Sequence, residues 1–186
     1  MAGLVLTDTS PLIALSRIEG LAWLSGLFGQ VWMPPEVRSE VLPGSGLPGE
    51  DAIAHALASG WLQVTEPAPA GPALPDLDEG EAACIRIALA QGKVALLLMD
   101  ERAGRAVALE RGLRVAGTAA IIGLAKQRGL ILSARQAFAP RARSRVPHRT
   151  RSASYRAGTR RRVSPRSNPP GIGARFRLVA SVAECY

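Results

Sequence analysis

An α/β fold with a central parallel sheet and helices on both faces is predicted by three features of this 186-residue sequence. Short apolar runs of strand length alternate with segments of helical periodicity. One run, residues 94–99, is wholly apolar, as a strand covered on both faces must be. Glycine or proline punctuates the ends of most segments, which separates the alternating units.

Taken in order, residues 4–7 form an apolar run that suits a buried strand. Ser10 before Pro11 has the form of an N-cap with proline at the first helical position, which leaves Asp8 between strand and helix. A helix is expected over 11–18, with Leu12, Leu15 and Ile18 at helical spacing. A second is expected over 21–28, ended by Gly29. Residues 31–33 read as a short strand stopped by Pro34, and Pro35 opens a helix to about Leu42. A Gly/Pro-rich loop over 43–49 precedes a helix over 51–58 and a short strand over 61–65. Residues 67–75 form a Pro/Ala/Gly connector without periodicity. The clearest helix spans 78–90, with Ala82, Ile85, Ala88 and Leu89 on its apolar face. Asp100 ends the strand at 94–99. A helix over 101–110, a strand over 113–116 and a helix over 119–128 complete the pattern.

Composition separates two segments. Hydrophobic residues make up 47% of the chain and aromatics 4%, so a core is built from Leu, Ala, Val and Ile. Residues 1–132 hold ten Lys and Arg against fourteen Asp and Glu, whereas 133–186 hold thirteen Arg, no Lys and one acid. The first segment is read as one domain. The second cannot bury enough apolar surface to offset its ordering entropy and is expected to be disordered. Its composition is also what a GC-rich gene read in the wrong frame encodes. Cys84 and Cys185 lie too far apart in the sequence for a disulfide framework, which fits a reducing cytoplasm. No apolar run has membrane-spanning length and no basic leader precedes the first strand, so no membrane association is expected.

Four carboxylates fall at strand ends or helix starts. Asp8 ends the first strand, Glu40 lies on the helix opened by Pro35, Glu81 lies in the first turn of the strongest helix, and Asp100 ends the central strand. Ligands of open α/β sheets bind at the carboxyl ends of strands. Clustered carboxylates repel one another unless a cation sits among them, and hard cations such as Mg²⁺ and Mn²⁺ take oxygen ligands. Each residue also has an ordinary structural role open to it. Asp78 and Glu81 have capping-box spacing, Asp100 could cap the helix it precedes, and Glu40 could lie on a solvated face.

The motifs together resemble the PIN-domain nucleases, in particular the PIN-like proteins related to VapC toxins. The resemblance rests on Asp8-Thr9-Ser10-Pro11-Leu12-Ile13 and on Val31-Trp32-Met33-Pro34-Pro35 with Val37 and Glu40. It continues through Leu77-Asp78-Glu79-Gly80-Glu81-Ala82, Met99-Asp100-Glu101-Arg102 with Arg105, and Gly117-Thr118. It covers about residues 4–132. It implies a three-layer α/β/α fold in which Asp8, Glu40, Glu81 and Asp100 hold one or two Mg²⁺ or Mn²⁺ ions. Ser10 would hold Asp8 or a bound water, Glu101 would be a fifth ligand or support the other ligands, and Arg102 and Arg105 would meet substrate phosphate or else be solvated helix charges.

The implied activity is metal-dependent hydrolysis of RNA phosphodiesters by the toxin of a type II toxin–antitoxin pair. The implied partners are RNA, a cognate antitoxin protein and a second copy of the chain in a homodimer. The alternative is a non-catalytic nucleic-acid-binding protein of the same fold that grips phosphate through its basic tail.

Overall fold

The structure, a computed structural model, describes residues 3–92 and 96–137. The chain runs β1 (Val5–Thr7), α1 (Thr9–Arg17), α2 (Leu21–Phe28), β2 (Val31–Met33), α3 (Pro35–Val41), α4 (Glu50–Ala58) and β3 (Leu62–Val64). It continues through α5 (Glu79–Gln91), β4 (Leu96–Leu98), α6 (Arg102–Glu110), β5 (Arg114–Ala116), α7 (Thr118–Gln127) and α8 (Ala134–Ala137). The expected alternation holds. The apolar run at 94–99 contains β4, and its residues 94 and 95 lie outside the described residues.

Among the described residues the sheet has five strands, all parallel, in the order β3-β2-β1-β4-β5. Leu6 of β1 pairs with Trp32 on one side and Leu97 on the other. Every residue of β1 and β4 is buried, which explains why both strands read as unbroken apolar runs rather than alternating ones. The chain winds outward from β1 to β3, then returns to place β4 on the other side of β1. That reversal leaves a crevice between the carboxyl ends of β1 and β4, the position where doubly wound sheets bind ligands.

The core is aliphatic. Leu6, Leu97 and Met33 of the sheet region are fully buried with Leu12 and Leu15 of α1, Leu24 of α2, Ile85 of α5 and Ile121 of α7. α5 packs against β1, β4, α3 and α6, while α2 packs against α1, α4, α7 and β2. Truncating one of these buried leucines to alanine costs about 2–5 kcal/mol in a core of this kind. No helix among the described residues is long and apolar enough to cross a membrane.

Three local expectations are corrected. α1 begins at Thr9, and Asp8 rather than Ser10 holds the N-cap position, with extended φ −82° and ψ 174°. Pro11 then sits inside the first turn, where its missing N–H would have had no helical partner in any case. Asp100 does not cap α6, whose N-cap is Glu101. α7 begins at Thr118 behind Gly117. Past the expected domain boundary at Leu132, α8 packs on α7, and Ala134 is partly buried against the core. The expectation of a disordered tail otherwise falls on 138–186, outside the described residues.

Candidate functional site

Asp8 is carried to the crevice by the parallel ladder. Its backbone N–H donates to Leu98 O at 2.9 Å, extending the β1–β4 pairing by one residue. Its side chain is almost fully buried and its Oδ1 accepts no hydrogen bond. Burial pushes the carboxyl up to about 6, and the charges of Asp78 and Glu40 push the same way. The amides of Thr9 and Ser10 oppose that rise, although neither closes a capping hydrogen bond. Ser10 thus acts on Asp8 through its backbone, as the second residue of α1.

Glu81 is the second buried carboxylate, 4% exposed, and its Oε1 also lacks a hydrogen bond. Asp78 accepts from the Glu81 amide at 2.7 Å, so half of the capping box is present. The Glu81 side chain, however, faces α6. A Cβ on Gly104 would collide with the Glu81 carboxyl and lie 2.6 Å from Met99 Sδ. Burial first, then the charges of Asp78, Asp8 and Glu101, raise the Glu81 carboxyl to about 7. Asp8 and Glu81 therefore belong to one electrostatic unit, whose charge includes Asp78.

Glu40 and Asp100 are exposed and anchored differently. Thr9 Oγ1 donates to Glu40 Oε2 at 2.5 Å, which ties α3 to the first residue of α1. The other oxygen of Glu40 lies near Gly80, on the side of Asp78. Asp100 accepts from the Thr118 amide at 2.7 Å and from the Thr118 hydroxyl at 2.5 Å. Among the described residues, no three His, Cys, Asp or Glu side chains are grouped tightly enough to hold a metal ion as they stand. The charges of Asp8, Glu40, Asp78, Glu81 and Glu101 thus act on one another, and Asp100 lies two residues past the β4 carbonyl that the Asp8 N–H bonds.

The chemistry of the donor set fits a hard divalent cation. Every candidate ligand is a carboxylate oxygen, and two of those oxygens are buried with nothing to satisfy them. A cation would remove the desolvation cost that raises both carboxyls. Glu40, Asp100 and Glu101, all exposed, are the acids on the open side that could complete the set.

Arg105 does not point at an open phosphate position. Its Nη1 donates to Met99 O at 3.3 Å, tying α6 to the end of β4. Arg102 is exposed at the first residue of α6, one residue after Glu101. Cys84, fully buried, donates weakly to Thr7 O at 3.5 Å, and burial raises its thiol well above the ordinary range. It is an inert core residue. His55 is exposed on α4.

Two acids acquire a place that the sequence reading did not give them. Asp78, read there only as a capping residue, raises both Asp8 and Glu81. Glu36 has a buried Oε2 without a partner in the first turn of α3, and its charge reaches Cys84. Glu36 comes three residues after β2, in the first turn of α3, and an acid in the first turn of a helix that leaves a strand is the signal that could have marked it.

A parallel α/β sheet with buried carboxylates at its topological switch defines a class of protein with an acidic ligand crevice. The comparison with protein families narrows the class. Residues 4–144 match a family model described as a PIN domain, and the chain belongs to that family. PIN-domain proteins are in general nucleases that use divalent metals. No curated protein matches the chain.

Proposed function

We propose that the chain is a Mg²⁺- or Mn²⁺-dependent ribonuclease that hydrolyses RNA phosphodiesters in the carboxylate crevice. One observation supports this reading above the rest. Asp8 Oδ1 and Glu81 Oε1 are buried, unpartnered and electrostatically coupled at the sheet's switch point. A buried carboxylate oxygen without a partner is costly, and an apolar side chain at either position would serve the fold alone better.

A bound cation would supply Lewis-acid charge and lower the pKa of a water. The chain's own residues do the remaining work. Asp8 and Glu81 provide the fixed ligand oxygens, held by β1 and by α5 against α6. Glu40, oriented by Thr9, and Asp100, oriented by Thr118, provide carboxylates on the solvent side, where water and a phosphate enter. Glu101 adds negative charge at the same rim, and Arg102 beside it offers a guanidinium to the substrate phosphate. No serine, cysteine or histidine nucleophile is needed.

A nuclease of this kind would damage its own host unless silenced. The role we assign is the toxin of a toxin–antitoxin pair in a reducing cytoplasm, with a protein antitoxin and a homodimeric state. The test is cleavage of labelled RNA by the purified full chain with Mn²⁺, Mg²⁺ or EDTA. Cleavage with either ion, abolished by EDTA and reduced more than about 100-fold in Asp8→Asn, is expected, since a ligand's share of transition-state stabilisation is several kcal/mol. Intact RNA with both ions would remove the nuclease reading. Undiminished cleavage by Asp8→Asn would place the chemistry elsewhere.

A further inference from the structure

Asp100 is held in a way that capping alone does not require. The helix it precedes takes Glu101 as its N-cap and receives no side-chain bond from it. Both oxygens of Asp100 are instead bound by one residue 18 positions later, the amide of Thr118 on Oδ1 and its hydroxyl on Oδ2. The two residues meet because Met99 N–H donates to Ala116 O at 3.0 Å, aligning the ends of β4 and β5. The approach is tight. A Cβ on Gly117 would lie 2.8 Å from Asp100 Oδ1 and 2.8 Å from Arg105 Nη1, so a larger residue there would push on the clamped carboxylate or displace the arginine tip.

The amide bond would suffice to cap α7. The hydroxyl adds something different. The last torsion of an aspartate is broad, and a single anchor leaves the carboxylate free to turn. Two anchors on opposite oxygens fix its plane. Each oxygen has a second lone pair, so the fixed carboxylate can still accept a cation or a water bound to one.

We infer that Thr118 is a positioning residue whose hydroxyl sets the plane of the Asp100 carboxylate for a divalent cation at the crevice. Its action is on Asp100, not on the substrate. The inference rests on the metal-site reading above and deepens it.

The test is Mn²⁺ binding by the full chain, read from the loss of the free-ion electron paramagnetic resonance signal, with Tm measured on the same samples. Removing an outer partner of a metal ligand lowers affinity about 10–100-fold. Thr118→Val, which keeps the amide, should lower Mn²⁺ affinity by about that factor, and Thr118→Ser should restore it. In an Asp100→Asn background, Thr118→Val should have no further effect, because the residue it acts through is gone. A Thr118→Val affinity within about twofold of the parent overturns the inference, as does an equal loss in the Asp100→Asn background. A loss of Tm in Thr118→Val without loss of affinity also overturns it, because the hydroxyl would then serve the fold alone. An Asp100→Asn chain that binds Mn²⁺ normally overturns it while leaving the Asp8–Glu81 site standing. A parent chain that binds no Mn²⁺ fails at the earlier step and removes both readings.

Discussion

Asp8 and Glu81 are buried acids that each leave a carboxylate oxygen without a partner. Asp8 is raised from 3.8 to about 6 and Glu81 from 4.5 to about 7, burial being the first cause in each. A carboxyl raised on folding makes the folded state bind more protons than the unfolded one. Its favourable contribution is complete below the unfolded value and is lost as pH rises through the folded value. Metal-free protein should therefore lose Tm as pH rises from about 4 to about 7, and thermal melts in EDTA across that window check it. Asp8→Asn should flatten the slope and stabilise the metal-free chain at neutral pH by up to roughly 3 kcal/mol. Saturating Mn²⁺ should reverse the loss, since a ligand of the folded state adds stability by mass action. A flat Tm across the window would mean that the two acids find partners in solution.

Legibility at this scale followed local context. Asp8 was legible because a strand end and a helix start flank it in the sequence. Glu81 was ambiguous, since Asp78 gives it capping-box spacing, and only the turn of its side chain toward Gly104 separates the two roles. The partners of Glu40 and Asp100 were not legible at all. Thr9 lies 31 residues from Glu40 and Thr118 lies 18 from Asp100, and no periodicity encodes such pairs.

At the scale of elements, the site is set by the contact of α5 with α6. Gly104 lets Glu81 and Met99 approach α6 closely. A glycine inside a helix ordinarily costs about 1 kcal/mol relative to alanine, so Gly→Ala is usually favourable. Here the methyl would enter space filled by two buried side chains. Gly104→Ala should instead destabilise by about 1–3 kcal/mol, the range for overpacking, and displace Glu81. Urea unfolding checks the sign, and a gain in stability would show that α5 and α6 can separate without strain. The elements themselves were largely readable, because β1 and β4 are buried throughout and carry mostly aliphatic side chains, and α5 is bounded by Asp78 and Gly92. The start of α1 was misread because the Ser10-Pro11 pair imitates a helix start that Asp8 in fact provides.

At the scale of the whole molecule, strand order explains the crevice. No single segment specifies the order β3-β2-β1-β4-β5, yet it is this order that sets the ends of β1 and β4 side by side. The strongly basic remainder of the chain is a second chemical unit. Residues 145–186, beyond the family match, hold ten Arg. If the catalytic and basic parts act independently, removing 145–186 should leave metal-dependent cleavage in place. It should also reduce the salt dependence of RNA binding, whose slope is about 0.7 per phosphate neutralised on single strands. Filter binding at several salt concentrations measures that slope. Loss of all RNA binding with the tail, from a chain that never cleaved, would favour the non-catalytic alternative.

The central claim is that Asp8 and Glu81 share a divalent cation. Diffraction from crystals grown with Mn²⁺, recorded where manganese scatters anomalously, tests it most directly. An anomalous peak is expected within metal–oxygen bonding distance, about 2.0–2.6 Å, of Asp8 Oδ1 and Glu81 Oε1, at the ends of β1 and β4. Well-ordered crystals with no peak there, or with manganese bound only elsewhere, would contradict it.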